Sequence, residues 1–360
     1  MAQSNTPKII GSRLFKEILY QTAEFGAMTV LMLGSLGAGK STLLKTLAEA
    51  MTCRDPITKT DQPVTIIWKT RDTDIWNSFT KNSTYVFIYV KDIEYVTFRY
   101  EESTHILTES EIEKDLPQII TYKSIPDLAN KLVKGSINCI YEPQKYILSK
   151  YLSSIIKKRG CQEKHLEDPH VDKSLWWIEF MYYVLKHKGI DFLSFIYDEF
   201  DEMLPSGMGG IQWHAIRVYR DILRECRKKN VCVIMCTHQK ADLDPSMMSK
   251  VLTTIYLKGA KIPADSMIGK NAAITLSQGR GFIERDGWGV FEFDKLKMKS
   301  KVDTAFIFPE DRQEFIPEND ECEVSKKTNG ALKNTGIVDI NNDGKLEFDT
   351  AKLSKMLFEI

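Results

Sequence analysis

Two groups of residues far apart in the chain have the types and spacing for chemistry on phosphate: Gly34-Ser35-Leu36-Gly37-Ala38-Gly39-Lys40-Ser41-Thr42, and the acidic pair Asp198-Glu199. The first fits G-x-x-x-x-G-K-[ST] at every fixed position. It lies between an apolar run, Thr29 to Leu33, and a helical pattern, Thr42 to Ala50. Gly34, Gly37 and Gly39 let the backbone bend until successive N–H groups face phosphate oxygens, and the following helix adds its positive end at the same place. Lys40 is then expected to reach the outer phosphates of ATP, and the Ser41 hydroxyl to ligate Mg2+.

The acids close the run Asp191 to Tyr197, which reads as a buried parallel strand with its carboxyl end at the phosphate site. Asp198 is expected to hold magnesium through its water shell, and Glu199 to orient or deprotonate the water that attacks the terminal phosphate. A nucleotide kinase does not need that second acid, so the pair points to hydrolysis. Asp201 and Glu202 read as acids capping the next loop. A third group, Thr237-His238-Gln239, ends another apolar strand. Gln239, with Thr237 behind it, is placed to touch the terminal phosphate and report its loss; the competing reading is a cap or turn contact.

Strands alternating with helices must position these groups, which predicts an α/β fold with a central, mostly parallel sheet flanked by helices, plus inserted β-hairpins. Residues 1–28 read as an N-terminal helical lead, with a helix over 10–25. Residues 29–300 read as the core, with an insertion over about 80–120, and 301–360 as a polar linker and a small hairpin-helix appendage. Within the core, strands are predicted at 64–68, 136–141, 252–257 and 273–276. Residues 85–90 and 95–100 read as a hairpin near the sheet edge, and a second hairpin spans 278–293, turning at Asp286-Gly287. Helices are predicted over 125–134, 145–158, 175–186 and 214–229.

Composition limits the function classes. At 360 residues, 43% apolar and 27% charged, the chain can bury one large core. Its 49 basic and 49 acidic residues cancel, so any nucleic-acid contact must use a local basic surface. Seven cysteines (53, 139, 161, 226, 232, 236, 322) include no C-x-x-C pair, which fits a reducing compartment. No apolar run has bilayer length, and the N-terminus is polar and then amphipathic (Leu14, Phe15, Ile18, Leu19), so a cytoplasmic protein with no membrane span is expected.

The order of these parts over residues 29 to about 295 resembles the FtsK/HerA superfamily of P-loop ATPases, which pump DNA. The resemblance rests on 34–42, on Asp198-Glu199, on the basic helix end Arg224 to Val231, on the strand end at 237–239, and on Gly279-Arg280-Gly281. It implies a RecA-like P-loop NTPase fold, assembly as a homo-oligomeric ring, usually a hexamer, and ATP-driven movement along double-stranded DNA. Within this sequence, neither the β-barrel common in HerA proteins, in the 28 residues before the core, nor a DNA-reading winged helix of the FtsK kind is expected. A compact packaging or mobile-element motor, of viral or plasmid origin, fits better.

Arg217, Arg220, Arg224 and Arg227 share one helical face, which in a ring presents Arg224 or Arg227 to the neighbour's terminal phosphate. The same spacing also describes a solvated face paired with Asp221 and Glu225. Arg280 is a rival for this finger role. For DNA contact, the Gly-rich loop 206–210 is the pore candidate, with Lys157-Lys158-Arg159 a weaker basic cluster. Residues 339–350 resemble a calcium loop, but Thr350 stands where a bidentate carboxylate belongs. A hairpin turning at Asn342-Asp343-Gly344 is the better reading. Two other functions stay in view: a nucleotide-binding switch or scaffold without motor activity, and a small-molecule kinase, which Glu199 and Gln239 disfavour.

Overall fold

The structure is a computed structural model that describes residues 9–11, 28–52, 64–70, 85–90, 96–100, 118–143, 148–161, 173–187, 193–204, 206–207, 209–293, 303–307, 338–340 and 346–348. Its main sheet runs in the spatial order β1 (Ile9–Gly11), β12 (Trp288–Phe293), β11 (Arg280–Glu284), β10 (Thr253–Leu257), β2 (Thr29–Leu33), β9 (Val231–Thr237), β8 (Leu193–Tyr197), β3 (Thr65–Lys69), β7 (Ile137–Ile140), β4 (Tyr85–Val90) and β6 (Gln118–Tyr122), the numbers giving chain order. From β10 to β6 every neighbouring pair is parallel. At the other edge, β11, β12 and β1 join antiparallel.

Continuous apolar runs make the central strands, because a parallel sheet is covered on both faces. In β2 the side chains alternate between two layers: Leu31 and Leu33 join one core, Val30 and Met32 the other. Helix Lys40–Thr52 covers the second face through Leu43, Leu44 and Leu47. Helices Ile125–Lys131, Lys150–Lys158, Lys173–His187 and Gly210–Lys228 supply the first, where Trp176, Trp177 and Phe180 are fully buried. The strand that precedes the Gly-rich loop, β2, is separated from the acid-bearing strand, β8, by β9 alone. That order, with helices on both faces, is the RecA-like P-loop NTPase fold.

Several elements differ from the sequence reading. Ile9–Gly11 is an edge strand paired with β12 where a helix was expected to begin; two β-branched residues suit the open edge that β12 offers. The remainder of that predicted helix lies outside the described residues. The pair 85–90 and 95–100 is not a hairpin. β4 is wholly apolar or aromatic and lies inside the sheet between β7 and β6, while β5 (Val96–Tyr100) pairs antiparallel with β13 (Asp303–Ile307) in a separate two-stranded sheet. β6 and β13 were not anticipated. The segment expected as a strand over 273–276 starts within a 3-10 turn, Ala272–Ile274, whose Ala273 carbonyl accepts the Gly259 N–H. Hairpin β11–β12 does turn at 286–287, with the Arg285 N–H donating to the Gly287 carbonyl. β14 (Val338–Ile340) and β15 (Leu346–Phe348) pair antiparallel, in keeping with a hairpin over 341–345, which lies outside the described residues. So do residues 101–117 of the expected insertion and the helical part of the C-terminal appendage, after 348.

Candidate functional site

The Gly-rich loop leaves β2 at its carboxyl end and enters helix Lys40–Thr52 directly. Gly37 and Gly39 take φ of +72° and +91°, backbone that a residue with a Cβ rarely adopts. This bend delivers the first N–H groups of the helix, which have no partner within it, to one point. Ser35 and Gly37 are exposed, Leu36 is the exposed tip, and Ala38 tucks into the core. The loop is braced from behind: Ser35 donates through N–H and Oγ to the Lys258 carbonyl, at 3.1 and 3.0 Å, and Gln278 Nε2 donates to the Gly37 carbonyl at 3.2 Å. Gly259 lies so close that a Cβ there would meet Ser35 Oγ at 2.5 Å.

Lys40 is buried, and its Nζ donates to the carbonyls of Gly34 (2.9 Å) and Ser35 (3.2 Å) and to His238 Nδ1 (3.1 Å). An ammonium only donates, so Nδ1 is the accepting nitrogen and the ring proton sits on Nε2. Next along the helix, Ser41 Oγ donates to Asp198 Oδ2 at 2.6 Å, the length of a hydroxyl–carboxylate bond. The two sequence-predicted halves therefore meet. Hydroxyl and carboxylate oxygens side by side at a helix N-terminus suit a hard divalent cation that takes its other ligands from phosphate and water. Among the described residues no group of three or more His, Cys, Asp or Glu side chains is placed to hold a metal.

Glu199 follows Asp198 in a left-handed conformation, φ 53° and ψ 58°, at the head of the one-turn helix Phe200–Met203. A left-handed backbone at a glutamate is costly and concentrates at functional turns. Phe200 and Met203 are buried in the core and seat that turn.

No family model matches the chain, and no curated protein matches it. Among solved structures, the chain is similar to the genome packaging NTPase B204 from Sulfolobus turreted icosahedral virus 2 in complex with ATP-gammaS, with 13% identity, 75% of this chain and 98% of that one covered, and a TM-score of 0.35. It is also similar to EssC (ATPases 2 and 3) from Geobacillus thermodenitrificans, at 15% identity over 78% of this chain and 42% of that one, TM-score 0.33. A third is Thermomonospora curvata EccC (ATPases 2 and 3) in complex with a signal sequence peptide, at 12% identity over 76% and 38%, TM-score 0.33.

The remaining sequence candidates are placed differently. Gln239 Oε1 accepts from Lys261 Nζ at 2.8 Å, and its backbone N–H donates to Asp242 Oδ2 at 2.9 Å, closing the 3-10 turn Lys240–Asp242. At this strand end it is His238 that touches Lys40. Thr237 is fully buried, and its Oγ1 has no hydrogen-bond partner among the described residues. Side chains alternate along a strand, so a sequence reading that picks 237 and 239 together passes over 238.

On helix Gly210–Lys228, the Arg217 guanidinium lies 4.8 Å over the Trp213 ring, the buried Arg220 Nε has no hydrogen-bond partner among the described residues, and Arg224 is exposed. Arg227 is on the same helix, with its side chain outside the described residues. Arg280 forms an ion pair with Glu292 on the neighbouring strand. Arg159, of the weaker basic cluster, is paired with Asp221. In the Gly-rich loop, Ser206 and Gly207 are exposed and Gly209 caps the helix, while the Ser206 N–H donates to the Asp242 carbonyl at 2.9 Å. Among the described residues no helix is long and apolar enough to cross a membrane.

Proposed function

We propose that the chain is an ATP hydrolase that moves double-stranded DNA, working in the cytoplasm as a ring of identical subunits, six by the family resemblance. The observation that carries the hydrolase part is the Ser41–Asp198 contact beside Lys40, because it joins the phosphate loop and the acidic strand end at one point. The loop N–H groups and Lys40 bind the phosphates of ATP. Ser41 and Asp198 would hold Mg2+, which would supply neutralisation of the charge on the phosphate oxygens. Glu199 orients the attacking water and accepts its proton. His238, at the end of the strand between β2 and β8, is the group that Lys40 exchanges for phosphate, and Gln239 links the same strand end to Lys261.

Support for a ring comes from the arginine face. Arg224 is exposed and suits a neighbour's phosphate, Arg227 is a second candidate, and Arg280 must first leave Glu292. The loop 206–210 is the proposed DNA contact. Its tie to Asp242, which in turn holds the Gln239 N–H, supports it, because that connects the loop to the catalytic strand end.

The test is ATP turnover with and without duplex DNA, single-stranded DNA and RNA, run beside Lys40→Ala. Stimulation by duplex DNA, lost in the variant, is expected. Equal turnover with every nucleic acid and with none would favour a nucleotide-controlled switch.

A further inference from the structure

Lys69 ends β3 beside the acid-bearing strand, in register with Tyr197, the residue before Asp198. It is 7% exposed, and its Nζ lies 3.9 Å from Glu142 Oε1 and 3.9 Å from Glu202 Oε2. Enclosing an ammonium is costly unless carboxylates compensate it, so both acids are part of its placement. The two differ in freedom. Glu142 is 8% exposed and accepts from the Trp177 indole N–H at 3.3 Å, while Trp177 packs edge-on against Tyr197 with ring centroids 5.6 Å apart. Glu202 is 53% exposed and belongs to the one-turn helix headed by Glu199. Lys69 thus joins a fixed acid in the core to an acid on the turn that presents the catalytic carboxylate.

That turn needs restraint. Glu199 is left-handed, and a non-glycine residue keeps such a backbone only where the surroundings over-determine it. Burial of Phe200 and Met203 holds the inner side, and the Glu202 N–H closes the turn on the Glu199 carbonyl at 3.1 Å. The Lys69–Glu202 attraction adds a restraint on the half-exposed side. We propose that Lys69 is a positioning residue that holds the Glu199 turn in its reactive geometry through Glu202. This rests on the hydrolase reading of Glu199.

The experiment is a double-mutant cycle with Lys69→Met, Glu202→Gln and the double variant, each measured for ATP turnover and, separately, for affinity toward a fluorescent ATP analogue. Misplacing a reacting group by a fraction of an ångström lowers the chemical step and leaves ground-state binding alone, so a fall in kcat of about tenfold with Kd within about twofold is expected for each single change. The double variant should be no slower than Lys69→Met alone, because both changes break one link. If Lys69→Met fails to fold, the half-exposed Glu202→Gln carries the test through the same split between kcat and Kd. Wild-type kcat in Glu202→Gln, equal changes in kcat and Kd, or losses that multiply in the double variant would each overturn the proposal. A wild-type chain that hydrolyses no ATP would remove the hydrolase reading and this inference together, whereas an active wild type matched by Glu202→Gln removes the inference alone.

Discussion

The Ser41 hydroxyl donates to the Asp198 carboxylate at 2.6 Å, across 157 positions of sequence. Each side chain is carried by a different part of the sheet, Ser41 by the helix after β2 and Asp198 by the end of β8, so the contact measures how well the two strands are registered through β9. In the proposed mechanism both residues would hold one Mg2+ ion, Asp198 through the ion's water shell. Ser41→Ala and Asp198→Asn should therefore raise the Mg2+ concentration for half-maximal turnover by roughly 10- to 100-fold, the usual penalty for disturbing a metal's immediate surroundings. Turnover titrated with Mg2+ at saturating ATP reads this directly. A Mg2+ dependence that neither variant shifts would count against the assignment.

Glu199 offers a separation of stability from activity. Its left-handed backbone costs about 1–2 kcal/mol for a residue with a Cβ, and glycine adopts the same angles freely. Glu199→Gly should raise the denaturant midpoint while abolishing turnover. Glu199→Gln keeps the strain and the shape, so it should bind ATP normally while turnover falls roughly 10²- to 10⁴-fold, the span of a lost general base. Unfolding curves and single-turnover assays on the two variants distinguish these effects. A glycine variant that unfolds more easily than wild type would mean that the glutamate side chain itself anchors the turn.

Lys40 has three acceptors, and His238 is the one that belongs to neither the loop nor the helix. Replacing it leaves the lysine on the loop carbonyls and removes a polar group from the end of β9. His238→Ala should lower turnover by about 100-fold, the lower end of the losses seen when a group at a charged transition state is deleted. Gln239→Ala, which gives up a contact with the exposed Lys261, should change it far less. Steady-state assays run side by side settle the ranking, and the reverse order would return the role to Gln239.

The Gly-rich loop, the central strands and the helices were legible in the sequence because each carries a local cause: glycines at positive φ, unbroken apolar runs, and 3.6-residue spacing. Convergence of Ser41 and Asp198 was inferable for the same reason, since both stand at the carboxyl ends of strands that have to be parallel. Pairing between distant segments left no such local mark. Tyr85–Val90 followed by Val96–Tyr100 looks like a hairpin over any short window, yet β4 finds two parallel neighbours and β5 pairs with a strand more than 200 residues later. Lys69, Glu142 and Glu202 were illegible as a group because nothing in their own surroundings in the sequence links three charges from three different segments. His238 was visible as part of a strand end, but which side chain of three faces the phosphate loop depends on the exact residue at which β9 stops.

Glu179, on helix Lys173–His187, is enclosed in the core, and its Oε2 has no hydrogen-bond partner among the described residues. Burial pushes its carboxyl from the ordinary 4.5 up to about 8, against a smaller opposing pull from the Ser149 backbone N–H. The folded chain therefore keeps a proton that the unfolded chain releases above pH 4.5. Stability from this group is fully present below that pH, falls as pH rises toward about 8, and is constant above it, with a slope of at most about 1.4 kcal/mol per pH unit for one proton. Glu179→Gln is neutral at every pH and lacks the slope. Urea midpoints at pH 5, 6, 7 and 8 should show the variant gaining on the wild type step by step, and parallel curves for the two proteins would mean that Glu179 titrates alike in both states.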